Sequence, residues 1–467
     1  MDKVKAGFLR FWRFAMVEHQ ITTVFFAFVF LATIPFTLQY FGFPLPGLVQ
    51  IAFKATIAAS FSLYLLIRSF VKRIALPWRA IVFVVAICLG YTAYHFALPR
   101  YFYFEAPPYS PVAGLQLTYD YAFSERFSAL VALWSLGLFF VLFFLIAPRL
   151  GLKYKDLVVF AFYFIGYLAI ASGYAVLTQT KTLIQDTEGF CSFFGNKNTY
   201  GLFLLIGAFL AYFGQTFAWR RWMRVFFAVA AVVLVIFTVL SLSFTALILT
   251  VLLVLYAYAK LAFAKGGKLR WRIIYVVAIL GVLAFVLVFL LMPPFSTSRL
   301  GEMFRVLFAK LFTPEQQGFY GLFSFRGAFW MFAFYLFRGP YIVLGYGINA
   351  LEAITYQSNV TYLTTAVLTN GFLTTMNAYG VVGLLLLIGL FVYAFYFLHK
   401  TRFVPQNRWI FVFWVLILIY CLFESLLLFD SFCGSLIITP ILVIPAVTAA
   451  NKYRERGPYY LGRRYEI

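Results

Sequence analysis

Three stretches of the chain gather polar groups of the kind that hold a phosphate or a sugar. The first is GNKNTYG, Gly195–Gly201, which sets two amides, a lysine and two glycines directly before an apolar run. Donors arranged this way can receive an anion or a sugar, with Asn196, Lys197 and Asn198 as the binding groups. Local sequence alone favours a plainer role, helix capping, with Asn198 as the N-cap before Thr199 and Tyr200. The second stretch is SLSFTAL, Ser241–Leu247, whose hydroxyls need do no more than bond neighbouring helical carbonyls. The third carries Arg299, Arg305, Lys310, Arg326 and Arg338, followed by GYG (Gly345–Gly347) and TNGFL (Thr369–Leu373).

Arginine suits a pyrophosphate because its planar fork donates two hydrogen bonds and keeps its charge. The same arginines would serve equally to anchor a loop to lipid headgroups. Arg326, in SFRGAFW, is the best placed for chemistry, because it opens an aromatic segment suited to the membrane interface. The usual signatures of soluble enzymes are missing. His19, His95 and His399 form no metal-ligand cluster and no cysteine pair has zinc spacing, so no metal is expected. There is no phosphate-binding Walker loop, so neither direct ATP drive nor any other cofactor is expected.

The elements that must position these groups are set by composition. Hydrophobic residues fill 64% of the 467 positions and charged residues only 11%, against roughly 25% charged in a soluble domain. Such a chain belongs in a bilayer. Apolar runs long enough to span it recur throughout, and they lack the alternation of barrel strands. Twelve helices are expected: Thr22–Phe41, Gly47–Leu66, Ile81–Leu98, Phe127–Ala147, Leu157–Leu177, Tyr200–Phe217, Val225–Leu240, Phe244–Leu261, Ile273–Met292, Phe372–Leu398, Trp409–Phe429 and Leu436–Ala449. The fold class is thus an all-α polytopic membrane protein, one integral domain over residues 1–467. A long, partly helical outer loop, residues 293–371, separates the ninth and tenth helices. The first run starts near Thr22 and has spanning length without a small-residue cleavage site, so no cleavable signal peptide is expected.

Lysine and arginine orient the bundle. They crowd the N-terminus and every second connection, as in Arg68–Arg79, Arg220–Arg224, Lys260–Arg272 and Lys400–Arg408, and they return after Lys452. The alternate connections hold most of the acids, among them Glu105, Asp120, Asp186 and Glu352. The basic side is read as cytoplasmic, with both termini there, in the cell membrane. This placement also removes the nucleic-acid reading that a net charge of +22 would otherwise invite. Merging Val225–Leu261 into one helix would throw Lys260–Arg272 to the outside, so two helices with a tight turn near Ser241–Ser243 are expected. Cys191 and Cys433 would both lie outside, which leaves a disulfide between them open.

With these pieces placed, the chain resembles the O-antigen ligase and Wzy-type polymerase superfamily. The likeness runs from about Gly189 to the twelfth helix. It rests on GNKNTYG before a helix, the hairpin around SLSFTAL, then SFRGAFW, GYG and TNGFLTTMNAYGVVGL (Thr369–Leu384) around a long outer loop. The resemblance implies a metal-independent, inverting membrane glycosyltransferase whose donor is a glycan on undecaprenyl pyrophosphate and whose acceptor is a glycan or lipid. It implies membrane lipids and other polysaccharide assembly proteins as partners, and no nucleic acid. On this analogy Arg326 holds pyrophosphate, with Arg299 or Arg305 as helper, while Asn196, Asn198 and Asn370 orient donor or acceptor; Arg338 and Thr369 are further substrate-binding candidates.

Two departures shape that expectation. The family often has an arginine after the hairpin serine, where this chain has Phe244 after Ser243. It often has a histidine before the late asparagine, where this chain has Thr369, and threonine is no base at neutral pH. Base assistance would then fall to a carboxylate, Glu352 or Glu424; Glu424 reads equally as a buried structural carboxyl. The missing histidine favours a polymerase of capsular or exopolysaccharide repeats over a ligase. A flippase-like transporter and a non-catalytic scaffold of a glycan assembly system are the alternatives. For the transporter, Lys54 is the clearest charge deep in a span, and no internal repeat is evident.

Overall fold

The computed structural model describes residues 19–40, 46–74, 78–105, 116–120, 152–185, 189–194, 196–262, 341–347, 370–402 and 404–424. It also describes the isolated positions 13, 76, 123, 126, 127, 130, 133, 134, 146, 150, 273, 330 and 334. In chain order the elements are α1 (Gln20–Tyr40), α2 (Gly47–Val71), α3 (Trp78–Ala97), β1 (Tyr101–Glu105), β2 (Gln116–Asp120), α4 (Tyr154–Gln185) and α5 (Lys197–Phe217). There follow α6 (Arg221–Leu240), α7 (Phe244–Ala262), α8 (Tyr341–Leu344), α9 (Gly371–Lys400) and α10 (Pro405–Phe423).

Among the described residues, five helices are long and apolar enough to cross a membrane: α4, α5, α6, α9 and α10. Shorter apolar helical stretches lie in α1, α2, α3 and α7. Large apolar side chains stand exposed along these helices, including Leu177, Val225, Val229, Leu385 and Val392. An apolar surface on this scale needs lipid rather than water around it. The chain is a helical membrane protein. The expected spans Phe127–Ala147, Ile273–Met292 and Leu436–Ala449 lie, wholly or almost so, outside the described residues, as does most of the loop 293–371.

The chain divides into two compact units, one of residues 1–160 and 329–467, the other of residues 161–328. In the first, Phe25 of α1 meets Phe61 of α2 edge-on, their ring centroids 5.2 Å apart, and Phe160 near the start of α4 packs on Phe25 at 5.8 Å. A polar knot sits at the start of α4. The Asp156 carboxylate lies 2.8 Å from His19 Nδ1, and it accepts from Thr22 Oγ1 and from the backbone N–H of Lys153. In the second unit α5 is the centre. From Tyr200 to Gly214 its residues are buried almost without interruption, whereas α6 keeps an open apolar side that includes Val225, Val229 and Ile236. Gly214 admits Phe227 of α6 so closely that a Cβ there would come within 2.6 Å of the ring, the small-residue contact that brings membrane helices together.

The split between α6 and α7 falls where charge placement puts it. Ser241 caps α6, Leu242 turns with φ 50°, and α7 opens at Phe244. Two features lie beyond the expected pattern. One is an antiparallel ribbon in the connection after α3, pairing Tyr101 with Asp120 and Glu105 with Gln116. Its base is clasped by Arg126, which donates to the carbonyls of His95, Phe96 and Pro99 at the end of α3. The other is a break in α9 at Gly380, where φ is 67° and ψ is −164°.

Candidate functional site

At one end of the second unit the structure joins two of the three polar stretches. The chain leaves α4, crosses residues 189–194 and enters α5 at Lys197. The N-cap is Asn196, not Asn198 as local sequence favours: its side chain accepts from the backbone N–H of Asn198 at 2.8 Å. The difference is physical. An extended residue must precede the helix for its side chain to reach forward to the second helical amide, and Asn196 has φ −137° and ψ 126°. Asn198 is thereby released for another role. Its Oδ1 accepts from Ser243 Oγ at 3.1 Å, tying the start of α5 to the turn between α6 and α7. Gly201, one turn on, makes room for this approach, since a Cβ there would lie 2.7 Å from the Ser243 Cβ and 2.8 Å from the Ala246 Cβ. Asn196 and Lys197 are exposed, beside this junction.

The loop itself is held by a residue that sequence reasoning passed over. Gln179, in the last turns of α4, is buried and accepts through Oε1 from the backbone N–H of Cys191 (3.0 Å) and of Ser192 (2.9 Å). Its Nε2 donates back to the Ser192 carbonyl at 3.1 Å and reaches Cys191 Sγ at 3.4 Å. One side-chain amide thus stands in for a strand partner. Ser192 is fully buried, adopts φ 53° and donates Oγ to the Ala171 carbonyl. The Phe190 N–H pairs with the Leu240 carbonyl, a second tie to the α6 end. Among the described residues, non-glycine positive φ occurs at Arg73, Ser192 and Leu242, so two of the three sit in these joined segments. Such conformations cost on the order of 1–3 kcal/mol and persist where surroundings enforce them, often at functional sites. Below, Ser172 and Tyr200 share a buried hydrogen bond of 2.7 Å.

The remaining described candidates belong to the first unit. Asn370 caps α9, accepting at Oδ1 from the N–H groups of Phe372 and Leu373, and its Nδ2 donates to the Leu422 carbonyl near the end of α10. Glu424 is the C-cap of α10 and buried, its N–H bonded to the Tyr420 carbonyl. Asn370 and Glu424 therefore meet the same helix end.

GYG packs against the break in α9. The Tyr346 N–H donates to the Asn377 carbonyl at 2.8 Å and the Gly347 N–H to that of Ala378 at 3.1 Å, while Tyr91 Oη takes the Tyr379 carbonyl at 3.1 Å. All three carbonyls lie in the turn before the non-helical Gly380. Tyr94 Oη fixes the Gly345 carbonyl at 2.6 Å. Gly380 and Gly345 both have positive φ, and a Cβ on either would strike backbone of the other segment.

Arg326, Glu352, Arg299, Arg305, Arg338 and Thr369 lie outside the described residues, as does Cys433, the open disulfide partner of Cys191. Lys54 lies on α2. Among the described residues no three or more His, Cys, Asp or Glu side chains gather where they could hold a metal ion. Compared with known proteins, the chain matches no family model and no curated protein.

Proposed function

We propose that this protein is a membrane glycosyltransferase that polymerises or ligates glycan repeat units from an undecaprenyl-pyrophosphate-linked donor at the outer face of the cell membrane. Polymerisation is the favoured activity. The observation that carries the reading is the junction of GNKNTYG with SLSFTAL through Asn198 and Ser243. It makes a rigid polar end on an otherwise apolar helix bundle, stiffened by Gln179 and by the αL residues Ser192 and Leu242. A donor with a polyprenyl tail and a hydrophilic head needs that combination of lipid-facing helices and a fixed polar mouth.

In the proposed reaction an acceptor hydroxyl attacks the anomeric carbon as the C–O bond to pyrophosphate breaks, with inversion. Undecaprenyl pyrophosphate leaves, and the hydroxyl proton passes to Glu352 or Glu424. Arg326, helped by Arg299, Arg305 and Arg338, holds the leaving group, because cations placed where charge develops lower the barrier. Asn196, Lys197, Asn198, Thr369 and Asn370 orient the sugars. The protein needs no metal or other cofactor for this chemistry.

The test is deletion in the native host and complementation with wild type, Arg326→Ala or Arg326→Lys at matched membrane levels, with surface glycans read by gel and mass spectrometry. Single repeat units left on lipid, unrescued by Arg326→Ala, support a polymerase. Lipid-linked polymer that accumulates untransferred marks a ligase. A glycan profile untouched by the deletion refutes the enzyme. One observation favours a transporter instead: α9 is discontinuous at Gly380, as helices of transporters often are. Outward movement of labelled lipid-linked glycan in vesicles, without polymer formation, would select that reading.

A further inference from the structure

Away from the polar junction, the two helical hairpins α5–α6 and α9–α10 carry the same device. Arg224 is the fourth residue of α6, and its Nε donates to the carbonyl of Ala218, six residues back, at 2.7 Å. Arg408 is the fourth residue of α10, and its Nε donates to the carbonyl of Arg402, again six residues back, at 2.8 Å. In each hairpin the guanidinium closes the turn onto the helix that follows. This use of Nε fixes the plane of the fork, and the paired Nη groups make no hydrogen bond or ion pair among the described residues. Both arginines are exposed.

The surroundings add positive charge and remove negative. Arg220 and Arg221 flank the first hairpin, exposed, and Arg402 flanks the second. Neither α6 nor α10 has an acid in its first turn, and neither has a side-chain cap on its N-terminal amides. Arginine at the positive end of a helix is unfavourable unless an anion answers it. Trp222, two residues before Arg224 in the chain and half exposed, packs edge-on against Phe162, the setting of a side chain at a membrane–water boundary.

We propose that Arg224 and Arg408 are paired seats for anionic phospholipid headgroups, each presenting its Nη fork to one phosphate. A fixed fork facing a phosphate gives two parallel, charge-assisted hydrogen bonds, and a flexible lysine gives one point contact. Each seat would pin its own hairpin to lipid headgroups. They do not depend on the glycosyltransferase reading.

The test is native mass spectrometry of the purified protein released from mixed micelles of phosphatidylglycerol and phosphatidylcholine. Wild type is expected to retain phosphatidylglycerol in preference. The double variant Arg224→Gln/Arg408→Gln should lose about tenfold of that preference, the loss of one charge-assisted pair per seat. Arg224→Lys/Arg408→Lys keeps the charge and should fall between the two. It decides alone if the glutamine variant is not monodisperse. Equal retention of both lipids by wild type, or a preference unchanged in the lysine and glutamine variants, overturns the proposal. A parallel melt with inorganic phosphate separates the sources: stabilisation equal to that by phosphatidylglycerol would reassign the forks to a free anion and overturn the lipid seat.

Discussion

Replacing Gln179 by leucine should loosen the 189–194 loop while leaving the bundle folded. Leucine is of similar bulk but branches one carbon earlier, and it is a good helix former, so α4 itself is kept. Three backbone groups lose their partner: the N–H of Cys191, the N–H of Ser192 and the carbonyl of Ser192. An unsatisfied buried polar group costs about 1–3 kcal/mol, and Ser192 is wholly buried. Counting only two of the three as fully penalised gives roughly 3 kcal/mol, about a 150-fold rise in the open population of the loop. Hydrogen exchange on a peptide covering residues 189–198 reads this directly. Gln179→Glu keeps the acceptor for the two N–H groups and loses only the donor to the Ser192 carbonyl, so it should open the loop less. Exchange in Gln179→Leu indistinguishable from wild type would refute the clamp. Under the proposed function, the same leucine variant should also shorten or abolish polymer at normal expression.

Further perturbations separate packing from hydrogen bonding. Ser243→Ala and Asn198→Ala should each cost about 1 kcal/mol in detergent melts, with a coupling of roughly 0.5–1.5 kcal/mol in the double mutant because they share one bond. Gly201→Ala forces a Cβ against Ser243 and Ala246 and should cost about 1–3 kcal/mol, read by the same melts. Gly380→Ala meets both a positive φ and the backbone of the 343–344 segment, so a loss of at least about 2 kcal/mol is expected; an unchanged melting temperature would contradict the break. Tyr94→Phe removes the bond to the Gly345 carbonyl and should cost about 1 kcal/mol, with faster exchange confined to residues 341–347.

Apolar run length and loop charge made the helices legible, including the separation of α6 from α7, because lipid imposes both patterns over many residues at once. Features set by a few specific bonds were harder to see. Helix α4 continues to Gln185 through TQTKTLIQ, which reads as the start of a loop. Its threonines bond back to helical carbonyls, Thr178 to Tyr174 and Thr182 to Gln179, which keeps the polar turns wound. Gln179, in those polar turns, gives no sign in the sequence that it holds the segment at Cys191 and Ser192. The break at Gly380 hides inside a continuous apolar run, since hydropathy reports what lipid tolerates and not whether the amide ladder is intact. The signal was Asn377 and Gly380 set among apolar neighbours three residues apart. GNKNTYG and SLSFTAL were each visible, but nothing in their 45-residue separation indicated that Asn198 and Ser243 bond.

The interruption of α9 also divides one span into two separately evolvable pieces. In an unbroken helix, one inserted or deleted residue rotates everything beyond it by about 100°, moving an entire lipid-facing stripe into protein. Here the carbonyls of Asn377, Ala378 and Tyr379 accept from Tyr346, Gly347 and Tyr91, in the turn before the non-helical Gly380. The segment from Gly371 to Tyr379 therefore takes its angular setting from α3 and the GYG segment. The segment beyond Gly380 takes its own from α10, through contacts such as Phe391 on Trp414. A length change placed at the break would be absorbed there, leaving each half facing the partner it already has.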